Sequence, residues 1–348
     1  MNFSSDNAAG VSPEILAALA AANVGAEPSY GADPITQRVA ARFAELFEHE
    51  VAVFPVATGT AANALGLAAV TPPWGVVFCH PDSHVEVDEC GAPEFYTGGA
   101  KLTPVPGADG KLAASDLAAL LPGGKGVVHH AQPASVSITQ ATECGTVYRP
   151  EEVAAIAEAA HAHGLALHMD GARFANALVR LGCRPADVTW QAGVDVLSFG
   201  ATKNGAMAAE AVLFFDPAKA ADLGFRRKRA GHLFSKMRFL SAQLDAYLAD
   251  GLWLRNARHA NAMAARLAEG LGNLPGFRLR HPVEANELFV EMPDRVIRAL
   301  LGDGFRFYRW IGETAECIRL VTSFATLADD VDRFTAAARR YALAAVVS

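Results

Sequence analysis

Val196-Leu197-Ser198-Phe199-Gly200-Ala201-Thr202-Lys203-Asn204-Gly205 begins as an apolar run and ends in a small, polar turn that carries one lysine. An apolar run of this length, stopped by glycine and short polar residues, predicts a buried central strand of a mainly parallel sheet. Ligands bind such sheets at the carboxyl ends of the strands. A single lysine placed there among small residues suits a desolvated amine able to form a Schiff base. Taken alone, any one lysine is more often solvent-facing.

Outward from this stretch, segments 51–54, 75–79, 126–129, 165–169 and 211–215 also read as strands, and the opening of the quoted stretch predicts one over 195–199. Ala-rich helical stretches alternate with them. One covers 60–70 with Thr58 as its N-cap; another covers 150–163, starting Pro150-Glu151-Glu152 and stopping at Gly164. This alternation predicts an α/β domain with helices on both faces of the sheet. Beyond residue 215 the period changes. Residues 219–272 read as helical with breaks near Gly231 and Gly251, followed by strand-like 277–280, 287–291, 305–308 and 317–321 and a last helix over 327–343. The expected organisation is a large domain over 1–250 with an N-terminal arm and a smaller α+β domain over 251–348, packed together around a cleft.

Composition excludes several classes. The net charge of −7 comes without long charge blocks, which leaves no electrostatic footprint for nucleic acid. No apolar run approaches the roughly 18 residues a membrane span needs. The opening Met1-Asn2-Phe3-Ser4-Ser5-Asp6-Asn7 lacks a basic-then-apolar signal pattern, so a cytoplasmic location is expected. Five cysteines, odd in number and never spaced as CxxC, suggest neither a disulfide framework nor a zinc site. The basic run Phe225-Arg226-Arg227-Lys228-Arg229 reads either as a solvated helix face or as a contact for phosphate or carboxylate.

Two other strand ends resemble the Lys203 turn in kind. Ala57-Thr58-Gly59-Thr60-Ala61-Ala62-Asn63 leads from a strand into a helix through small residues, leaving backbone N–H groups open to an anion at a helix N-terminus. In isolation this is more often an ordinary capped turn. Leu165-Ala166-Leu167-His168-Met169-Asp170-Gly171-Ala172-Arg173 ends in a carboxylate that could hold a protonated ring nitrogen, or could equally form an Asp–Arg salt bridge. The three together are more specific than any one. Pyridoxal phosphate needs a phosphate cup, a partner for its pyridinium and a Schiff-base lysine, and these occur here in that order.

With these motifs the chain resembles the threonine aldolases of the aspartate-aminotransferase-like (fold type I) superfamily, most closely the bacterial low-specificity L-threonine aldolases. Further matching segments are Phe3-Ser4-Ser5-Asp6-Asn7, Tyr30-Gly31-Ala32-Asp33, His84-Val85-Glu86-Val87-Asp88-Glu89-Cys90-Gly91-Ala92-Pro93-Glu94 and Ser235-Lys236-Met237-Arg238-Phe239-Leu240. The resemblance implies pyridoxal 5'-phosphate bound in the large domain. Lys203 would carry it, Asp170 would pair with its ring nitrogen, Gly59 and Thr60 would hold its phosphate, and His84 would stack on its ring. Ser5, Tyr30, Arg173 and Arg319 would bind the substrate. Without the family context, Arg319 reads as a strand-edge surface arginine and His84 as a hydrogen-bonded loop histidine.

Lys228 and Arg229 resemble a phosphate contact given by a neighbouring subunit, which implies a homodimer or homotetramer with shared active sites. The implied reaction is reversible cleavage of L-threonine, L-allo-threonine and related β-hydroxy-α-amino acids to glycine and an aldehyde. A phenylserine-preferring aldolase, a β-eliminating lyase and an aminotransferase are the alternatives. One departure stands out: Glu143, in Thr142-Glu143-Cys144-Gly145, occupies a loop position where many relatives carry histidine. The general base is thereby left among His84, Glu143 and a bound water.

Overall fold

A computed structural model describes residues 1–121, 123–310 and 316–343. Its main sheet has seven strands: β1 (Ala52–Val56), β2 (Gly75–Cys79), β3 (Lys101–Pro104), β4 (Gln132–Thr139), β5 (Ala166–Gly171), β6 (Val196–Gly200) and β7 (Glu210–Phe214). They lie in the order β1-β7-β6-β5-β4-β2-β3. Every pairing from β3 across to β6 is parallel, and β7 runs antiparallel to both β6 and β1. The sheet is therefore mainly parallel, with one reversed strand.

Strand alternation sorts the side chains of β5 and β6 between two faces. Leu167, Met169, Leu197 and Phe199 enter the larger apolar core together with Phe43, Phe47 and Phe174. Val196 enters a second core against the helix Gly59–Val70, with Ala61, Ala62 and Leu65. On β5 the residues alternating with Leu167 and Met169 are His168 and Asp170. His168 shares hydrogen bonds with Ser137 Oγ (2.9 Å) and Ser198 Oγ (3.0 Å) on the flanking strands. Burial pushes its pKa down to about 4, so the imidazole is neutral. Asp170 follows at the strand end.

A smaller sheet of four strands, β8 (Arg278–Leu279), β9 (Glu287–Glu291), β10 (Tyr308–Arg309) and β11 (Cys317–Val321), is ordered β10-β11-β9-β8 and is antiparallel throughout. Its core gathers Leu288, Val290, Ile318 and Leu320 with Phe334 of the helix Ala328–Leu343. Phe3, from the N-terminal arm, is part of this core and meets Phe334 edge-on at 5.3 Å. The helix Leu252–Leu271 begins in the large core with Leu252 and Trp253 and ends in the small one with Leu267 and Leu271.

The strand expected over 126–129 does not form. Residues 126–129 form turns, Gly126 has a φ of +79°, and Val128 is almost fully exposed. The strand lies further on, at β4, where the serines that weakened its apolar pattern are buried with partners: Ser135 bonds Thr71 Oγ1 at 2.8 Å and Ser137 bonds His168. A buried hydroxyl with a partner behaves as a core group, which hydrophobic periodicity does not register. Expected strand 305–308 is also displaced, since pairing with β11 begins only at Tyr308. The helices Pro13–Ala22, Pro34–Phe47, Phe174–Leu181 and Asp294–Gly302 and strand β3 were not anticipated from the sequence.

Candidate functional site

The site is assembled at the carboxyl ends of β5 and β6. Gly200 closes β6 against the chain leaving β5: a Cβ there would lie 2.6 Å from Ala172 O, so only glycine lets the two exits approach. The turn Thr202–Asn204 that follows is fixed from several sides. Asn204 Nδ2 donates to Tyr247 Oη (2.7 Å) and Trp253 O (2.8 Å), and Asn256 Nδ2 donates to Asn204 O (2.9 Å). Glu210 accepts from Ala201 N at 2.9 Å, and burial raises its pKa to about 7. These contacts hold the turn that presents Lys203 to the pocket.

Opposite the lysine turn, Thr58 Oγ1 accepts from Ala61 N at 3.2 Å and caps the helix Gly59–Val70, as its sequence indicates. Gly59 and Thr60 line the same pocket as Lys203 and Asp170. As first-turn residues their N–H groups have no carbonyl to bond within the helix, and the space a Cβ would occupy at Gly59 is open. Four residues on, Asn63 Nδ2 donates to Asp170 Oδ2 (2.8 Å) and to Glu89 Oε1 (2.8 Å). Asp170 Oδ1 accepts from Ala172 N at 2.9 Å. The Asp170–Arg173 salt bridge that the sequence left open does not form; Arg173 turns instead to Asp6 and Glu287.

His84 begins the short helix His84–Val87 and stands at the pocket wall with its side chain 37% exposed. Its Nδ1 donates to the fully buried Glu89 at 2.9 Å, and this bond is the largest cause of a raised imidazole pKa. Glu143, half-buried as a residue, lies beside it with its Oε2 shielded from solvent. Its Oε1 accepts from His84 N (2.7 Å) and Thr139 Oγ1 (2.9 Å), while Oε2 has no hydrogen-bond partner among the described residues. Burial, reinforced by the negative charge of Asp170, pushes the Glu143 carboxyl up to about 7.

A wider cleft of ≈ 440 Å³ adjoins this pocket and shares His84, Glu143, Arg173 and Lys203 with it. Ser5 and Arg319 line the cleft. Arg319 lies over the Trp310 ring at 4.8 Å, and its buried Nε has no hydrogen-bond partner among the described residues. The cleft is thus bordered by the N-terminal arm, the two strand exits and the small sheet.

Of the residues expected from sequence, Gly59, Thr60, His84, Glu143, Asp170, Arg173, Lys203, Ser5 and Arg319 come together. Tyr30, Lys228 and Arg229 do not line either space. Lys228 Nζ instead stands 4.8 Å over the Tyr30 ring, away from the site within this one chain. Asn63, Glu89, Asp6 and Glu287 had no assigned role. Three of them fall inside motif segments read for other residues, and Glu287 is a charge opening an apolar strand, which flags a buried, partnered carboxylate.

Comparison with known proteins agrees with this geometry. The family model described as Beta-eliminating lyase matches residues 2–294. The low specificity L-threonine aldolase of Pseudomonas sp. (strain NCIMB 10558) is 48% identical over 310 residues, which is 89% of each chain. The solved structure of Leishmania major threonine aldolase aligns with a TM-score of 0.92 at 31% identity, covering 98% of this chain and 99% of that one. An aspartate aminotransferase from Rhodobacter sphaeroides shares the fold alone, with a TM-score of 0.69 at 20% identity over 99% and 92% of the two chains. The architecture is accordingly aspartate-aminotransferase-like, fold type I, and the chain belongs to the beta-eliminating lyase family, alongside its low-specificity L-threonine aldolases.

Proposed function

We propose that this protein cleaves L-threonine, L-allo-threonine and related β-hydroxy-α-amino acids, phenylserine among them, to glycine and an aldehyde, using pyridoxal 5'-phosphate. The observation that carries the reading is the convergence of Lys203, Asp170, the helix start at Gly59–Thr60 and His84 on one pocket. The donor set fits that cofactor. A helix N-terminus suits a phosphate, a carboxylate suits a protonated ring nitrogen, an amine suits the aldehyde carbon, and an imidazole at the wall suits the ring face. Bound there, the cofactor supplies an electron sink for the pair released at Cα.

The remaining work belongs to the chain. Lys203 would hold the cofactor at its aldehyde carbon. Asp170, fixed by Asn63 and Ala172 N, keeps a proton on the ring nitrogen. Arg319, with Ser5 and Arg173, fixes the substrate carboxylate and so decides which Cα bond breaks. Glu143 takes the β-hydroxyl proton; its unpartnered Oε2, its position on the wall of both pocket and cleft and a pKa near neutrality support that role over His84 or water. A base of this kind is active as the carboxylate, so kcat/KM is expected to rise with pH through about 7. Glu143→Gln should remove that limb and lower kcat by about 10²-fold. An unchanged pH–rate profile in the variant would assign the proton transfer to His84 or water.

The same reading includes a homodimer or homotetramer in which Lys228 and Arg229 complete a neighbour's phosphate site. Supporting it, Phe225 on the same helix is 82% exposed and Phe95 76%, large apolar groups of the kind that subunit contacts cover. It also includes a large cofactor-binding domain over 1–250 and a small domain over 251–348, supported by the two apolar cores that the helix Leu252–Leu271 joins. Among the described residues no helix is long and apolar enough to cross a membrane. A cytoplasmic location is proposed with it, in keeping with the exposed thiol of Cys90.

The deciding experiment is a visible spectrum of the purified protein, then addition of L-threonine, L-allo-threonine and phenylserine with detection of aldehyde and glycine. A cofactor band with aldehyde release is the expected result. Keto-acid release instead would transfer the chain to β-elimination or transamination, and no band after cofactor addition would sink the reading.

A further inference from the structure

Arg173 is already engaged on two sides. Its Nε and Nη2 donate to Asp6 (2.8 and 3.2 Å), and its Nη1 lies 3.3 Å from Glu287 Oε1. Asp6 is tied further by Asn286 Nδ2 at 3.0 Å. Glu287, at the start of β9, is buried, and neither of its oxygens has a hydrogen-bond partner among the described residues. The charged and titratable groups facing it come from every surrounding element. They are Asp6 on the arm, Arg173 after β5, Lys203 after β6, Arg319 on β11, and Glu143 and Cys144 on the loop after β4.

Counting charge gives the consequence. With Lys203 committed to the cofactor, as the proposed function requires, Arg173 and Arg319 face Asp6 and Glu287, two positive charges against two negative, and Glu143 adds a negative charge when ionised. A substrate carboxylate brings one more negative charge into a buried site. Buried carboxylates in excess of their partners take up a proton rather than remain charged. Asp6 is held by three hydrogen bonds and Glu143 by two, whereas Glu287 has one looser ion pair, so Glu287 is the group that yields.

We propose that Glu287 is a positioning residue of the substrate-carboxylate anchor: it holds Nη1 of Arg173 in the free enzyme and releases it, taking one proton from solvent, when the carboxylate is seated. The direction of its own titration agrees, since burial outweighs the pull of Arg173 and Arg319 and leaves its pKa above the ordinary glutamate value. Proton uptake on binding means that affinity falls as pH rises above the free-enzyme pKa of Glu287, by about tenfold per pH unit at most.

The test is calorimetric titration of the cofactor-loaded enzyme with glycine, in buffers of different ionisation enthalpy, for wild type, Glu287→Gln and Glu287→Asp. Across a pH series, wild type is expected to take up at most close to one proton more than Glu287→Gln, with the maximum between the free and bound titrations of Glu287, and Glu287→Asp to recover the uptake. In steady state, the rise of KM for L-threonine with pH should flatten in Glu287→Gln. The ligand amine titrates identically in all three proteins and cancels in the difference. Equal proton counts in wild type and Glu287→Gln would overturn the proposal. A glycine-induced change in the visible spectrum without threonine cleavage would count against the aldolase reading, yet leave the proton count to decide this one.

Discussion

Lys203→Ala is expected to abolish the visible absorbance of the lysine-linked cofactor and to lower threonine cleavage by at least about 10⁴-fold, the scale seen when a covalent catalytic group is removed. The expectation rests on placement. Lys203 is the lysine of the pocket that also holds Asp170 and the Gly59–Thr60 helix start, and its turn is fixed by Asn204, Asn256 and Glu210. Alanine leaves those anchors intact, because none of their bonds uses the lysine side chain. The fold should survive, and circular dichroism should match wild type. Retention of both absorbance and turnover would remove Lys203 from the mechanism.

Asp170→Asn should lower kcat by about 10³-fold, close to 4 kcal/mol, because a preorganised charge aimed at a developing centre is worth that much in a water-excluded site. The substitution preserves volume and retains an oxygen for Ala172 N, which now bonds Oδ1 at 2.9 Å. It deletes the negative charge beside the proposed ring nitrogen. With that oxygen kept for Ala172 N, the Oδ2 position becomes an NH2 donor, so Asn63 Nδ2 loses its acceptor there and keeps only Glu89. Cofactor absorbance should persist while turnover collapses. Comparison of kcat with the absorbance of the loaded protein separates the two effects, and an undiminished kcat would show that Asp170 only supports structure. With Asp170 neutral, one cause of the raised Glu143 pKa disappears, so the rising limb near pH 7 should move downward in this variant.

Much of this was legible in the chain itself. The stretch 196–205 announced a buried strand and an exit turn because apolar continuity and glycine are local properties. The Thr58 cap and the stop at Gly164 were readable for the same reason, and the helices Gly59–Val70 and Pro150–His161 follow them closely. Strand β4 was misplaced because Ser135 and Ser137 become core-compatible only through partners on other strands. The basic run at Phe225–Arg229 left its meaning open, and within one chain it remains away from the pocket.

By itself, the sequence determined the alternating strand-and-helix plan of the large sheet, the chemistry at three strand ends and the family these spell out. Each depends on residues close together in the chain, where periodicity and turn preference act directly. Only the tertiary structure decided what those groups meet. Asn63 joins Asp170 to Glu89, Glu143 is enclosed beside His84 with one oxygen free, and Arg173 belongs to Asp6 and Glu287 rather than to Asp170. Asp6 and Arg173 stand 167 positions apart and Asp6 and Asn286 stand 280 apart. No local propensity encodes such pairs, because a buried charge takes its partner from whatever the packed layers bring within hydrogen-bond reach, and the low dielectric there makes that choice set protonation as well.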